Sequence, residues 1–270
     1  MKYEELPAVS GAADVSRRLY LPLFEWIAFR LRPGKTLIVG INGPQGAGKS
    51  TLCRALAKMF ERQGTIAAAI SIDDFYLTRA EQIHLASAHP SNLYLQNRGY
   101  PGTHDVGLAL KTMRAFQDRI EVVIPRYDKS AYQGKGDRAP VSEWTRVKSP
   151  ADVVLFEGWM LGFQPVGVSN DAAFMEIDEK LQAYMSLWET LDLFVFLDPL
   201  DHRYVVDWRI EAEEKMKAEG KSGMSAVEVE RYVRLFLKAY EIYLPKLRED
   251  GPGIRSALRV RIAQDRAPPY

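Results

Sequence analysis

Apolar and polar positions along this chain follow two rhythms. Thr36 to Asn42 is a short, nearly unbroken apolar run, the kind that a parallel sheet buries on both faces. Similar runs recur at Ile66 to Ile72, Ile120 to Ile124, Val153 to Phe156 and Leu193 to Leu197, and a last alternating segment at Leu258 to Ile262 reads as a further strand. Between them the period lengthens to that of a helix, over Lys49 to Arg62, Val106 to Asp118, Asp178 to Thr190, Arg203 to Ala218 and Ala226 to Tyr243, with Pro245 expected to halt the last. Upstream, Ala13 to Leu31 (Val15, Leu19, Leu23, Phe24, Trp26, Ile27, Leu31) predicts one or two amphipathic helices, with Pro22 marking a break or a start, and Arg32 to Lys35 predicts a turn. Strands alternating with helices predict an α/β fold with a mostly parallel central sheet covered on both faces. Ile83 to Pro101 and Pro125 to Pro150 show neither rhythm and are expected to be long functional loops. The chain reads as one domain over 1–270: a helical segment at 1–34, a core at 35–247, and a strand and tail at 248–270.

The loop after the first long strand carries the strongest chemistry. Gly43-Pro44-Gln45-Gly46-Ala47-Gly48-Lys49-Ser50 matches G-x-x-x-x-G-K-[ST] at every fixed position, between an apolar strand and a helical pattern. The glycines let backbone N–H groups approach an anion, and the helix N-terminus adds partial positive charge. Lys49 supplies a point charge for the β- and γ-phosphates, and Ser50, in preference to its neighbour Thr51, supplies a hydroxyl ligand for Mg²⁺. The expected cofactors are therefore ATP and Mg²⁺, bound by Gly43, Gln45, Gly46, Ala47, Gly48, Lys49, Ser50 and Thr51. The expected fold is the three-layer P-loop nucleotide-binding type.

In open parallel sheets, ligands bind beyond the carboxyl ends of the strands. Acids that close apolar runs are therefore candidates. Asp73 and Asp74 follow the second run, and an aspartate there can position an acceptor hydroxyl and take its proton; a helix cap or turn is the competing reading. Glu157 closes the run Val153 to Phe156 and is expected to hold Mg²⁺ with Ser50. Asp198, followed by Pro199, reads as structural.

The segment Pro125 to Arg138 gathers four cations, Arg126, Lys129, Lys135 and Arg138, among small residues. Charged loops are often merely solvated. Just beyond a strand, such cations can hold an anionic acceptor. His104 and Asp105, after Arg98 to Thr103, are candidates for contacting acceptor hydroxyls, with a helix cap equally open for Asp105. Asp201 to Lys215 reads as a charged helix that either lies solvated or closes over the nucleotide and places Arg209 on the transferred phosphoryl group.

Composition narrows the partners. Charged residues make up 26% and apolar ones 47%, ordinary values for a globular chain, and Lys+Arg 36 against Asp+Glu 35 leaves a net charge of +1. That balance gives no case for nucleic acid or acidic membranes. The single cysteine, Cys53, permits neither an internal disulfide nor a cysteine-rich zinc site. No apolar run approaches the roughly 20 residues of a membrane span. The first residues lack the pattern of a signal or transit peptide, so a cytoplasmic location is expected.

With these residues assembled, the phosphate loop, Ser71-Ile72-Asp73-Asp74-Phe75-Tyr76 and Phe156-Glu157-Gly158 resemble the phosphoribulokinase/uridine kinase group. Longer strings resemble the plant-type D-glycerate 3-kinases within it: Asp73 to Thr78, Arg98 to Asp105, Pro125 to Arg138, Phe156 to Phe163, Trp208-Arg209, and Met224 to Leu247. The resemblance spans about Thr36 to Leu247. It implies transfer of phosphate from ATP to D-glycerate, giving 3-phosphoglycerate, a step of photorespiration in phototrophs. It implies Asp73 as base with Lys49 and Arg209 as catalytic partners, and a lid near 201–220. It implies acceptor contacts from Asp105, Tyr127, Lys129 and Arg138, and the residues themselves add Asp74, Tyr76, Arg98 and His104 as candidates. A sibling kinase for pantothenate, a nucleoside or a sugar phosphate, or an ATP-dependent regulatory protein, stays open from the residues alone. A monomer or small homo-oligomer with a small-molecule substrate is expected.

Overall fold

The computed structural model describes residues 3–5, 15–147, 150–167, 171–218 and 225–269. Ala13, where the first helix is predicted to begin, Met224, and the lid residues 219–220 lie outside them. The strands in chain order are β1 (Glu4–Glu5), β2 (Leu37–Asn42), β3 (Ala67–Ser71), β4 (Val122–Ile124), β5 (Tyr127–Asp128), β6 (Asp137–Arg138), β7 (Thr145–Val147), β8 (Val153–Gly158), β9 (Leu193–Pro199) and β10 (Ser256–Ile262). A six-stranded sheet in the order β1-β10-β9-β2-β8-β3 forms the centre, and every pairing in it is parallel. Flanking helices cover it, as the α/β pattern predicts. Each residue of β8 and β9 is buried, which is why their sequences run apolar rather than alternating. β3 lies at the edge and keeps Ala69 exposed.

Register is what positions the site. Asn42 pairs with Gly158 and with Phe196, and Ser71 pairs with Glu157. The carboxyl ends of β2, β8 and β3 therefore finish side by side. Gly43, Glu157 and Asp73 leave the sheet at one edge. The helix Lys49–Arg62 packs along β3 and β8 through buried Leu52, Cys53, Leu56 and Phe60.

Four expectations are corrected. Ile120 to Ile124 does not join the central sheet: β4 is only Val122–Ile124 and pairs antiparallel with β7. The stretch after Ile83 is not irregular throughout, because Arg79–Ala88 is a helix opened by a reciprocal Thr78–Glu81 capping box. The second long loop folds into the pair β5–β6 and the strand β7. Pro245 does not end the last helix, which runs Ala226–Asp250. The structural reading of Asp198 agrees with its setting: the buried carboxylate accepts from Arg248 at 2.7 Å and also from Arg259, tying β9 to that helix and to β10. Pro22 lies in the first turn of the α-helix Leu21–Ala28, which continues the π-helical turn Ser16–Tyr20 without a break.

Candidate active site

The phosphate loop leaves β2 as a tight turn. Gly46 and Gly48 have φ of 78° and 84°, backbone that residues with a side chain adopt at a cost. A Cβ on Gly46 would also lie 2.5 Å from Trp208 Cβ, so the loop and the helix Tyr204–Ala218 meet without room for a methyl group. Gly48 caps the helix that begins at Lys49, leaving the first helical amides to face an anion. Lys49 is buried, and its ammonium donates to the Pro44 carbonyl at 3.0 Å. Burial pulls its pKa down, while the charges of Glu157 and Asp73 push the other way. Ala47 is buried and Thr51 is exposed, accepting from Arg54 at 3.4 Å.

Ser50 Oγ donates to Glu157 Oε1 at 2.5 Å, so the two proposed metal ligands already meet. Both are hard oxygen donors. Among the described residues no cluster of three or more His, Cys, Asp or Glu could hold a metal. Ser50 and Glu157 would supply one hydroxyl and one carboxylate, with phosphate and water for the remaining positions. That is the donor set Mg²⁺ takes, and it fits the cofactor pair expected from the sequence.

The acceptor side is built by the turn after β3, the segment before the helix Val106–Gln117, and the β5–β6 pair. Lys129 Nζ lies 2.5 Å from Asp73 Oδ2. Burial alone would raise the Asp73 pKa, but the Lys129 charge and hydrogen bond, with help from the Tyr76 hydroxyl, hold it at about 2. Asp74 behaves differently. It closes a capping box with Ser71, taking the Ser71 N–H at 3.1 Å, and burial beside Asp73 pushes it up to about 6. The helix-cap reading thus holds for Asp74.

Tyr76 and His104 stack with ring centroids 4.4 Å apart, and Tyr127 meets Tyr76 edge-on at 5.2 Å. His104 is buried, which pulls its pKa to about 4 and keeps the ring neutral at pH 7. The Tyr184 hydroxyl accepts the Gly102 N–H at 3.0 Å and lies 2.8 Å from His104 Nδ1. The Tyr184 hydroxyl thus ties Nδ1 of the neutral ring to the Gly102 backbone and leaves Nε2 as the ring's other polar atom. That buried nitrogen finds no hydrogen-bond partner among the described residues. Asp105 both caps its helix, accepting from Leu108 N at 2.9 Å, and pairs with Arg138 at 3.2 Å. Arg138 also donates to the Tyr76 carbonyl at 3.0 Å.

Two predicted residues are held by neighbouring groups of the chain. Arg98 is spent on its own surroundings: it donates to the carbonyls of Gly134 at 2.8 Å and Lys135 at 2.5 Å and lies over the Tyr127 ring, so it shapes the basic loop. Arg209 is paired with buried Glu213, one helical turn on, and follows Trp208, which is packed on the phosphate loop. The root of the expected lid is therefore fixed to the loop.

Sequence reading missed three residues that frame the site. Arg266 Nε donates to the Gly46 carbonyl at 2.7 Å while Nη2 meets Glu211 at 2.5 Å, so the tail after β10 clamps the loop to the lid helix. The Tyr240 hydroxyl receives the Gln45 N–H at 3.1 Å. Tyr184 orients His104. Nothing local marks any of them, since each acts across at least 55 residues.

Comparison with known proteins agrees with this geometry. Residues 38–211 match the model of the family described as "PRK: Phosphoribulokinase / Uridine kinase family". The chain is 39% identical over 253 residues to a D-glycerate 3-kinase, chloroplastic, of Arabidopsis thaliana, covering 87% of this chain and 56% of that one. It is 38% identical over 230 residues to an uncharacterized kinase of Schizosaccharomyces pombe, covering 79% and 83%. A solved structure of D-glycerate 3-kinase from Cryptococcus neoformans superposes with a TM-score of 0.82 at 32% identity, covering 96% of this chain and 99% of that one. Among the described residues, no helix is long and apolar enough to cross a membrane.

Proposed function

The chain belongs to the phosphoribulokinase/uridine kinase family and is a P-loop small-molecule kinase, and within that family we propose that it phosphorylates D-glycerate on its terminal hydroxyl, using ATP and Mg²⁺. The observation that carries this reading is the contact of Asp73 with Lys129: a proton acceptor and an anion-binding cation meet at 2.5 Å, beside the phosphate loop. Two similar proteins bear the name D-glycerate 3-kinase, which supports the choice of acid.

In this reading the loop amides and Lys49 hold the phosphates, and Arg209 adds positive charge where the phosphoryl group is transferred. Ser50 and Glu157 would hold Mg²⁺, which would neutralise phosphate charge when bound. Asp73 orients the acceptor hydroxyl and receives its proton as the new oxygen–phosphorus bond forms and the bond to ADP breaks. The unpartnered Nε2 of the neutral His104 ring offers the acceptor an uncharged hydrogen-bonding group. Anchoring of the helix Tyr204–Ala218 on the loop keeps water from the phosphoryl group.

A nucleoside acceptor is disfavoured. Tyr76 stacks on His104 and meets Tyr127 edge-on rather than in a parallel slot, and Tyr100 is buried against Phe236 and Trp159. A coupled assay of ADP release, with D-glycerate, L-glycerate, uridine, pantothenate and ribulose 5-phosphate offered in turn, tests the proposal. Stimulation by D-glycerate above the others supports it; stimulation by another member of the panel, or by none, removes it.

A further inference from the structure

Lys129 is the cation that touches the proposed proton acceptor. It follows directly on β5, and its ammonium lies 2.5 Å from Asp73 Oδ2 with 57% of the side chain exposed. Three neighbouring cations have other duties. Arg138 is held by Asp105 and the Tyr76 carbonyl, Arg98 by loop carbonyls, and Lys135 by Asn97 Oδ1 at 3.2 Å. An ammonium has three donors and swings on a flexible stem, so an incoming carboxylate can compete for it on equal chemical terms with Asp73.

Length matters as much as charge. With carbon–carbon bonds of about 1.5 Å, the terminal hydroxyl and the carboxylate of a three-carbon acid lie about 4–5 Å apart. A molecule whose hydroxyl engages Asp73 then brings its own carboxylate within reach of the ammonium beside that aspartate. In a longer acid the two ends are too far apart to bridge neighbouring partners. A neutral alcohol has nothing to offer Lys129.

We infer that Lys129 passes from Asp73 to the carboxylate of the acceptor as that acceptor binds, so that a short hydroxy acid is selected by the same contact that frees its proton acceptor. This rests on the proposed reading of the site. Before binding, the Lys129 ammonium neutralises Asp73 and the Tyr76 hydroxyl donates to it, which leaves it a weak base. Water is then poorly activated, and ATP is spared when no acid is present. After binding, the ammonium neutralises the acceptor's carboxylate and the aspartate faces the hydroxyl.

The test measures kcat/KM for D-glycerate and for glycerol in the wild type and in K129M, with ATP turnover in the absence of any acceptor. The wild type is expected to prefer D-glycerate strongly and to hydrolyse little ATP alone. In K129M the preference is expected to fall by about 100-fold, the scale of losing one partner of a charged pair, and turnover without acceptor is expected to rise. D-Glyceramide, the neutral counterpart of the acid, offered to the wild type, asks the same question with no substitution and is expected to behave like glycerol. Retention of the wild-type preference in folded K129M, or turnover of D-glyceramide as efficient as that of D-glycerate, overturns the exchange while leaving the proposed function intact. Failure of the wild type to use D-glycerate removes both.

Discussion

The hydroxyl of Ser50 donates to a carboxylate oxygen of Glu157 across 2.5 Å, joining the first turn of the helix Lys49–Arg62 to the end of β8. The contact follows from register, because β2 and β8 run parallel and in step to Asn42 and Gly158. If the pair holds Mg²⁺, E157Q is expected to raise the Mg²⁺ concentration for half-maximal turnover about tenfold or more, and chelation is expected to abolish turnover reversibly. A Mg²⁺ titration of both proteins checks it; coincident curves would remove Glu157 from the metal site.

Asp73 is the proposed proton acceptor. D73N is expected to lower kcat by about 10²–10⁴-fold while leaving ATP affinity within a factor of a few. Steady-state kinetics combined with nucleotide binding by calorimetry separates the two effects. Near-normal kcat in D73N would end the assignment.

Fold and site were legible to different depths. The phosphate loop is contiguous, and its flanking strand and helix are strongly patterned, so Gly43 to Ser50, Glu157 and Asp73 each read as lying beyond the carboxyl end of a parallel strand. The Arg79–Ala88 helix escaped notice because Gln82 is its one fully buried residue, which leaves no apolar stripe, although Thr78 and Glu81 spell its capping box. Pro245 was expected to stop a helix that it interrupts only locally. It lacks the N–H that would bond to Glu241, but Tyr240, Tyr243, Leu244 and Leu247 are buried around it and hold the helix on course. Arg266 and Tyr184 were invisible because tertiary contact alone brings them to Gly46 and His104.

The clamp from the C-terminal tail makes its own prediction. Arg266 joins the Gly46 carbonyl to Glu211, and nothing in its contacts reaches the acceptor side. R266A is expected to raise KM for ATP about tenfold, the size of one lost charge-assisted hydrogen bond, with KM for the acceptor unchanged. Equal changes in both constants would argue for general loosening instead.

Asp74 supplies a pH signature of stability. Burial raises its pKa from the ordinary 3.8 to about 6 in the folded protein, so the folded state binds this proton more tightly than the unfolded chain does. Its contribution is fully present below the unfolded value and is lost as pH rises through about 6. D74N keeps an oxygen for the Ser71 N–H and removes the charge. Between pH 5 and pH 8 its melting temperature is therefore expected to fall less than that of the wild type. Parallel pH dependence in the two proteins would show that Asp74 does not carry this effect.

The most direct test of the central claim is the product formed from D-glycerate. Incubation with Mg-ATP, followed by phosphorus NMR and an enzymatic assay specific for 3-phosphoglycerate, reads acceptor and regiochemistry at once. The expected result is D-glycerate-dependent ADP matched one for one by 3-phosphoglycerate, with little product from L-glycerate. Nucleotide binding without any phosphorylated glycerate, or phosphate on the 2-hydroxyl, would contradict it.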